Sequence, residues 1–485
     1  MGNCMRIPEK VGYILEKLKE NHFEGYVVGG CVRDSILGRI PGDWDITTSA
    51  KPEEVKRIFR RTVDTGIEHG TVTVMIGEEG FEVTTYRVDG KYEDHRHPEK
   101  VEFTPNLEED LKRRDFTINA MAYDPEQGLV DLFDGTGDIE RKCIRCVGNP
   151  AERFLEDALR MLRGIRFAGQ LGFDIEKDTL EAIRVCSATL VNVSAERIRV
   201  ELTKLLLSKE PEKLRDAEKT GLCQIFLPEF SEMFRTEQRN PNHCYPVGEH
   251  CIHAVRHVQE ISRKVLCSGQ GEHALSPYGR EFSEEKVNTI LVFSALLHDV
   301  GKPACRTTDE SGTDHFYGHD VKGSEMAHRI LKRLRFDNDT VQTVTRIIRF
   351  HERRYDGNQR ALRRFVSKAG ADIMPYLFML QEADILSQSG YNREEKLMRL
   401  AEAKRMFADI MEKQQPVCIK ELAVTGRDIL DLGVMPGPEV GQVLKKLLEI
   451  VIEEPEKNDR QLLLTEAEKH IKIKNKASGM DKYTR

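Results

Sequence analysis

The sequence predicts an α+β fold, with a mixed sheet and its helices in the first third and helical segments from there to the end. Three observations predict it. Short β-like runs recur as far as residue 132, helical apolar spacing takes over at Pro150, and ten of the fifteen histidines fall between His243 and His351. At about 150 residues per domain, 485 residues make about three domains.

Each element follows from a local pattern. Residues 11–18 place apolar side chains at helical spacing and lead into the strand-like run Gly25–Val28. Further β-like runs fall at 71–76, 81–86, 100–103 and 129–132. From Pro150 to about residue 230, Phe154, Leu155, Ala158, Leu159 and Leu162, then Ile198, Leu202 and Leu205, repeat as a buried helix face does. The histidine-rich stretch, about 240–390, reads as a separate helical metal domain with a long Gly/Ser/Pro loop at 268–283. The remainder is charged and helical, broken at Pro436-Gly-Pro-Glu-Val-Gly441, and its last dozen residues are polar enough to fray. Four segments result: 1–148, 149–238, 239–390 and 391–485.

Composition excludes several classes. With 81 acidic and 74 basic residues the net charge is −7, so an acidic polymer must be met by local patches, and a globally basic coat is ruled out. No run of 18 uninterrupted apolar residues suggests a membrane span. The opening residues lack the apolar stretch of a secretory signal, and Arg6 stands where a myristoylation pattern needs Ser or Thr. Of eleven cysteines only Cys143 and Cys146 form a close pair, where structural zinc wants two such pairs; reduced thiols in a cytoplasmic protein are expected.

The first chemistry-bearing run is Val27-Val-Gly-Gly-Cys-Val-Arg-Asp-Ser-Ile-Leu-Gly38, followed by Gly42-Asp-Trp-Asp-Ile46. Gly29 and Gly30, between strand and helix, let backbone N–H groups approach phosphate oxygens, and Arg33 sits one turn into that helix. On an extended strand Asp43 and Asp45 face one side, as a Mg2+ pair bridging a hydroxyl and a nucleotide α-phosphate requires. Glu82, between Phe81 and Val83, offers a third carboxylate from a neighbouring strand.

This arrangement resembles the DNA-polymerase-β-like nucleotidyltransferases. The runs Gly70-Thr-Val-Thr-Val74, Glu82-Val-Thr-Thr-Tyr-Arg87, Asp110-Leu-Lys-Arg-Arg-Asp-Phe-Thr-Ile-Asn-Ala120, Arg153-Phe-Leu-Glu-Asp-Ala-Leu-Arg160 and Glu196-Arg-Ile-Arg-Val-Glu201 follow in order. They resemble the successive motifs of class II tRNA nucleotidyltransferases, over about residues 20–230. The resemblance implies a polymerase-β-like palm, an all-α neck and catalytic Asp43, Asp45 and Glu82 with Mg2+ on the two aspartates. It further implies that Gly29, Gly30, Arg33, Arg114, Asp115, Asn119, Arg163 and Arg166 bind nucleotide. Asp157 and Arg160 would act as a protein template for the base. On one helix face an acceptor and a donor three residues apart suit cytosine or adenine, each with an amino group beside an unprotonated ring nitrogen. Uracil and guanine present the reverse order and leave polar groups unpaired.

Three activities compete within the family: complete CCA addition, partial addition, and poly(A) synthesis. The stretch 88–98 resembles the flexible loop that CC-only enzymes lack. Bacterial poly(A) polymerases carry a basic run before the third acid, where this chain has acidic Val74-Met-Ile-Gly-Glu-Glu-Gly-Phe81. Complete CCA addition is therefore expected, with A-only addition and poly(A) synthesis as alternatives.

Downstream, Leu296-Leu-His-Asp-Val-Gly-Lys302, with His250 before it and Asp384 after, resembles the ligand pattern of HD-type metal phosphohydrolases. A divalent metal of open identity is implied on His250, His298, Asp299 and Asp384, with His319 and His351 available for a second site. His253, His257, His273, His315 and His328 are expected at surface or structural positions. An HD hydrolase whose N-terminal half merely grips RNA is the competing class. The run Val424-Thr-Gly-Arg-Asp-Ile-Leu-Asp-Leu-Gly-Val-Met-Pro-Gly-Pro-Glu-Val-Gly441 resembles the family's tRNA-clasping segment, with Lys445 and Lys446 beyond it. The expected partners are tRNA, CTP and ATP, with no membrane; monomer and homodimer both stay open.

Overall fold

Strand β1 (Gly25–Val28) is an inner strand of an N-terminal sheet, in a computed structural model that describes residues 5–89, 101–267, 283–353, 355 and 357–480. The expected loop at 268–283 and most of the 88–98 stretch lie outside the described residues, as does His273. The chain divides into two compact units, residues 1–232 with 330–336, and residues 233–329 with 337–485.

In the first unit, helix α1 (Glu9–Glu20) buries Val11, Ile14, Leu15 and Leu18. Gly25 lets it close on the sheet, since a Cβ there would lie 2.8 Å from Leu18. Helix α2 (Gly30–Ile36) follows β1, then β2 (Ile46–Thr48), α3 (Pro52–Ile58), β3 (Thr62–Gly66), β4 (Thr71–Ile76) and β5 (Glu79–Thr85). Strands β6 (Arg87–Asp89) and β7 (Val101–Phe103) make a small antiparallel ribbon, α4 (Leu107–Lys112) follows, and β8 (Met121–Asp124) pairs with β9 (Gly128–Asp131). The sheet order is β3-β4-β5-β2-β1-β8-β9, with β2 and β5 parallel and the other pairs antiparallel.

Helices carry the rest of this unit: α5 (Gly135–Glu140), α6 (Pro150–Glu156), α7 (Leu159–Leu171), α8 (Lys177–Cys186) and α9 (Ala195–Leu206) lead the series. Helix α7 buries a nearly continuous run and packs on α9. Its Gly164 lies over the fully buried Phe116, whose ring meets Phe167 edge-on at 5.9 Å.

In the second unit the helix Glu284–Leu297 buries every residue from Ile290 to Leu297. A helix apolar all round must be surrounded, and Val247–Cys267 and Met374–Ser387 pack on it. The C-terminal helices Pro438–Glu453 and Arg460–Met480 share a buried cluster that includes Val443, Leu447, Val451 and Leu463. Of the last dozen residues, expected to fray, 474–480 continue the helix to Met480, and 481–485 lie outside the described residues.

A Cβ on Gly164 would meet Phe116 at 2.9 Å. Gly164→Ala should therefore cost about 1–3 kcal/mol by overpacking. Gly441→Ala, in open space on a helix, should cost nothing and can gain up to about 1 kcal/mol. Urea midpoints of the two variants check the contrast.

Candidate active site and candidate metal centre

Strand register assembles the three acids. Val27 pairs with Ile46 across β1/β2, and Ile46 is level with Val83 across β2/β5, so Asp45 stands beside Glu82. Asp43 and Asp45 precede β2 and do not lie on it, contrary to the expectation. The reason is local. Continuing the register puts Asp45 opposite Val28, the last residue of β1, and Asp43 opposite Gly30, but the chain leaves β1 at Gly29 (φ +82°), so the bond from the Val28 N–H to the Asp45 carbonyl at 3.0 Å is the last of that pairing. Both carboxylates still reach solvent. The surrounding protein raises the Asp45 carboxyl above its ordinary value, Arg114 pulls it back, and Glu82 and Asp43 push it up further. Three acids that repel one another suit a divalent cation.

Gly29 needs its positive φ, and a Cβ there would sit 3.2 Å from Arg114 Nη1, so the turn passes close over that guanidinium. Asp110, fully buried, accepts from Arg113 at 2.8 Å, Thr47 at 3.1 Å and Arg114 at 3.4 Å. Burial pushes its carboxyl up, but Arg113 and Arg114 outweigh that and hold it below the usual range. Arg114 Nε is buried without a hydrogen-bond partner. Arg33 is buried too: it donates to Asp34 with Nε and Nη2 at 2.9 Å and to Asn119 Oδ1 at 2.7 Å.

Phe167 is a hub for cations. The guanidiniums of Arg33 and Arg163 lie 5.3 Å from its ring centre and that of Arg166 lies 3.8 Å away. Buried Asp115 accepts from Arg163 Nε at 2.8 Å, from Asn119 at 3.3 Å and from the Phe116 N–H at 2.9 Å. Burial alone would raise its carboxyl; Arg163 and Arg160 instead bring it down to about 2. Arg166 pairs with Glu201 and donates to Gln170 at 2.6 Å.

The structure corrects the template pair. Asp157 and Arg160 do not share one helix face: Asp157 ends α6 in extended conformation (φ −138°, ψ 104°), and α7 begins only at Leu159. The Asp157 carboxylate accepts from the Leu159 N–H at 3.1 Å, which caps the second helix and holds the break open. It takes Arg197 of α9 bidentately, at 3.2 and 2.7 Å. Arg160 donates to Glu156 at 2.7 Å and to the Arg113 carbonyl at 3.0 Å.

In the second unit His250, His298, Asp299, Asp384, His319 and His351 come together. Two triplets form around Asp299, His250–His298–Asp299 and Asp299–His319–His351. His298 Nε2 is 3.3 Å from Asp299 Oδ2, His319 Nε2 is 3.3 Å from Oδ1, and Asp384 lies 2.9 Å from His250 Nε2. His298, His319 and His351 each donate from Nδ1 to the carbonyl three residues earlier, at 2.9, 2.8 and 2.7 Å. Those bonds fix the tautomer and turn each Nε2 lone pair inward, as metal ligands need. His298 Nε2 is buried with no hydrogen-bond partner. Burial would raise the Asp299 carboxyl, but His298 and Lys302 hold it well below the usual range. Gly301 makes room for the cluster: a Cβ there would strike the His319 carbonyl at 2.3 Å.

Asp299, His319, His351 and Asp384 of this cluster line a cavity of about 870 Å3. Two lining residues have no counterpart in the expected site. Lys302 Nζ lies 2.7 Å from Asp299 Oδ2 and 2.7 Å from Gln238. His243 lies 3.5 Å from that ammonium, and burial with Lys302 pushes its pKa down to about 2, so it is neutral. Histidine density was the sole sequence signal for it. His253, His257, His315 and His328 stay outside both triplets.

Comparison with known proteins meets this geometry. The Poly A polymerase head domain matches residues 25–145, the HD domain 247–389, and the tRNA nucleotidyltransferase domain 2 residues 319–467. The CCA-adding enzyme of Ligilactobacillus salivarius is 35% identical over 466 residues, covering 95% of this chain and 96% of that one. The chain belongs to the CCA-adding enzyme family.

A second relative, the CCA-adding enzyme of Pediococcus pentosaceus, is 35% identical over 94% of this chain and 96% of its own. The crystal structure of the Bacillus stearothermophilus CCA-adding enzyme in complex with CTP superposes with a TM-score of 0.66 at 28% identity, covering 97% of this chain and 98% of that one. The Thermotoga maritima CCA-adding enzyme complexed with tRNA, at 19% identity and TM-score 0.57 over 96% and 97% of the chains, shares the fold. This chain is thus a nucleotidyltransferase with an HD domain, and both families work with divalent metal. No described helix is long and apolar enough to cross a membrane.

The depressed carboxyl of Asp115 gives a signed pH effect. Its stabilisation is present above the ordinary pKa near 4 and is lost as pH falls toward about 2. Asp115→Asn should remove about 2 kcal/mol of stability at neutral pH and flatten the decline below pH 4. Urea unfolding from pH 2 to 7 reads both effects.

Proposed function

We propose that this CCA-adding nucleotidyltransferase attaches CMP, CMP and AMP in turn, from CTP and ATP, to the 3′ end of tRNA, releasing pyrophosphate. The observation that carries the proposal is the register placing Glu82 level with Asp45, beside Asp43. Mg2+ held by Asp43 and Asp45 would polarise the α-phosphate and favour the ionised 3′-hydroxyl. The chain's own groups position the rest. The Gly29–Gly30 turn brings backbone N–H groups to the triphosphate, and the Arg114 guanidinium lies against the same turn through Nη1. Arg33, Asn119, Asp115 and Arg163 form one hydrogen-bonded series behind the nucleotide, joined to Arg166 through ion pairs with Glu201, so the pocket keeps its shape without bound substrate.

Asp157 and Arg160 select the base. The carboxylate takes the exocyclic amino group of C or A, and the guanidinium donates to the ring nitrogen. Arg197 and Glu156 set the spacing of the two from opposite ends of the helix break. Residues 1–148 act as the palm, 149–238 as the neck, 239–390 as the HD domain and 391–485 as the tRNA-binding arm, and the work belongs in the cytoplasm, with tRNA precursors.

A second activity is favoured by Asp299, which belongs to both ligand triplets. A divalent metal there would activate water to attack a phosphate ester, such as a 2′,3′-cyclic or 3′-phosphate at a tRNA end. The phosphorus–oxygen bond to the sugar breaks, and the leaving oxygen takes up a proton.

Purified protein given tRNA ending at the discriminator base and all four nucleoside triphosphates should append C, C and A, read by sequencing. Asp45→Asn should cut incorporation by at least about 1000-fold and reduce the Mg2+-dependent thermal shift to that of the HD site, while relief of repulsion leaves the metal-free melting point unchanged or higher. Full incorporation by that variant would refute the assignment. His298→Ala combined with Asp299→Ala should spare incorporation and remove release of phosphate from a 3′-phosphorylated RNA.

A further inference from the structure

The candidate ligands account for the floor of the 870 Å3 cavity but not for its rim. Between buried Asp314 and the ligand His319, a short hairpin presents His315 and Tyr317, whose rings stack 5.5 Å apart with planes 5° from parallel. Tyr317 is 80% exposed, a large ring held in water beside a polar cavity. The pair is built rigidly. His315 Nε2 bonds Asp309 at 2.7 Å, and Asp309 accepts from Ser311 and Thr313. Asp314 anchors the hairpin through the Arg239 N–H at 2.9 Å, Arg306 at 2.9 Å and Thr308 at 2.7 Å. The same cavity is lined by the cations Arg353, Lys396 and Arg399, of which Lys396 donates to Asn242 and Gln388 and Arg399 pairs with Glu395, a lining acid like Glu352.

From these observations we infer that the cavity is a nucleoside-phosphate site in which Tyr317, backed by His315, stacks the nucleobase while the ester phosphate reaches the His/Asp floor. The inference rests on the phosphohydrolase proposal and adds the chemistry of its leaving group. The volume suits a nucleotide-sized ligand, since such pockets run to roughly 300–1,000 Å3. A stacking face accepts any base, because every base has a π surface. The HD cavity is therefore base-tolerant, where the Asp157–Arg160 pocket discriminates.

The test is equilibrium binding on ice to the Mn2+-loaded full chain, with the binding that survives in the His298→Ala, Asp299→Ala double variant subtracted as the share of the nucleotidyl pocket. Adenosine 3′-phosphate and glycerol 2-phosphate are the two probes. Tyr317→Ala should weaken adenosine 3′-phosphate roughly ten-fold and leave glycerol 2-phosphate within about two-fold; Tyr317→Phe should restore the difference. Tighter binding of a 3′-phosphorylated RNA hexamer than of the mononucleotide identifies an RNA end as the source of the ligand, and equal binding a free nucleotide. Unchanged affinity for adenosine 3′-phosphate in Tyr317→Ala, or equal weakening of both probes, overturns the stacking site and leaves the metal reading standing. Failure of wild-type protein to bind either probe overturns both.

Discussion

The register of β2 between its two neighbours is the constraint on which the nucleotidyl site depends. Antiparallel pairing with β1 fixes where the sheet can no longer hold the chain, because Gly29 has already turned away. Parallel pairing with β5 fixes which residue stands beside Asp45. A slip of one residue would put Phe81 or Val83 there and Glu82 on the opposite face. Phe81 and Val83 are buried, so such a slip exposes apolar surface and the sheet resists it. The core thereby locates three charges that repel one another.

Around that sheet the protein handles charge by pairing. Arg33, Arg163 and Arg166 crowd one phenylalanine ring, and each is matched by Asp34, Asn119, Asp115 or Glu201. Unpaired, any one of these buried guanidiniums would be costly. Arg114 alone among the site's arginines keeps a buried Nε without a hydrogen-bond partner. The second unit uses another device. Backbone carbonyls one turn back take the outer nitrogen of three imidazoles, so helix geometry orients the inner ones.

Much of this was legible in the sequence. Strands at Gly25–Val28 and Thr71–Ile76 match the pattern of their side chains, and Asp384 joins His298 although they lie far apart in the chain. The failures have a common cause. Spacing places Asp157 and Arg160 on one helix, but a carboxylate able to cap the following helix competes with continuation and breaks it there. Spacing likewise places Asp43 and Asp45 on a strand, yet the register sets Asp45 opposite Val28, where β1 ends, and Asp43 opposite Gly30, already past the turn. Arg197 and His243 act through partners far along the chain or through burial, and nothing in their local sequence records that, whereas Glu156 and Lys302 pair within one helical turn, with Arg160 and Asp299.

The apolar helix Glu284–Leu297 delivers His298 and Asp299 at its very end, with every residue from Ile290 onward buried. Such a helix behaves as a rigid key. Insertion or loss of one residue anywhere in that run would swing the terminal pair through about 100°, far from His250, His319, His351 and Asp384. Length changes here are consequently forbidden in a way that substitutions among Leu, Ile and Val are not, and drift in this segment is confined to exchanges that conserve its residue count.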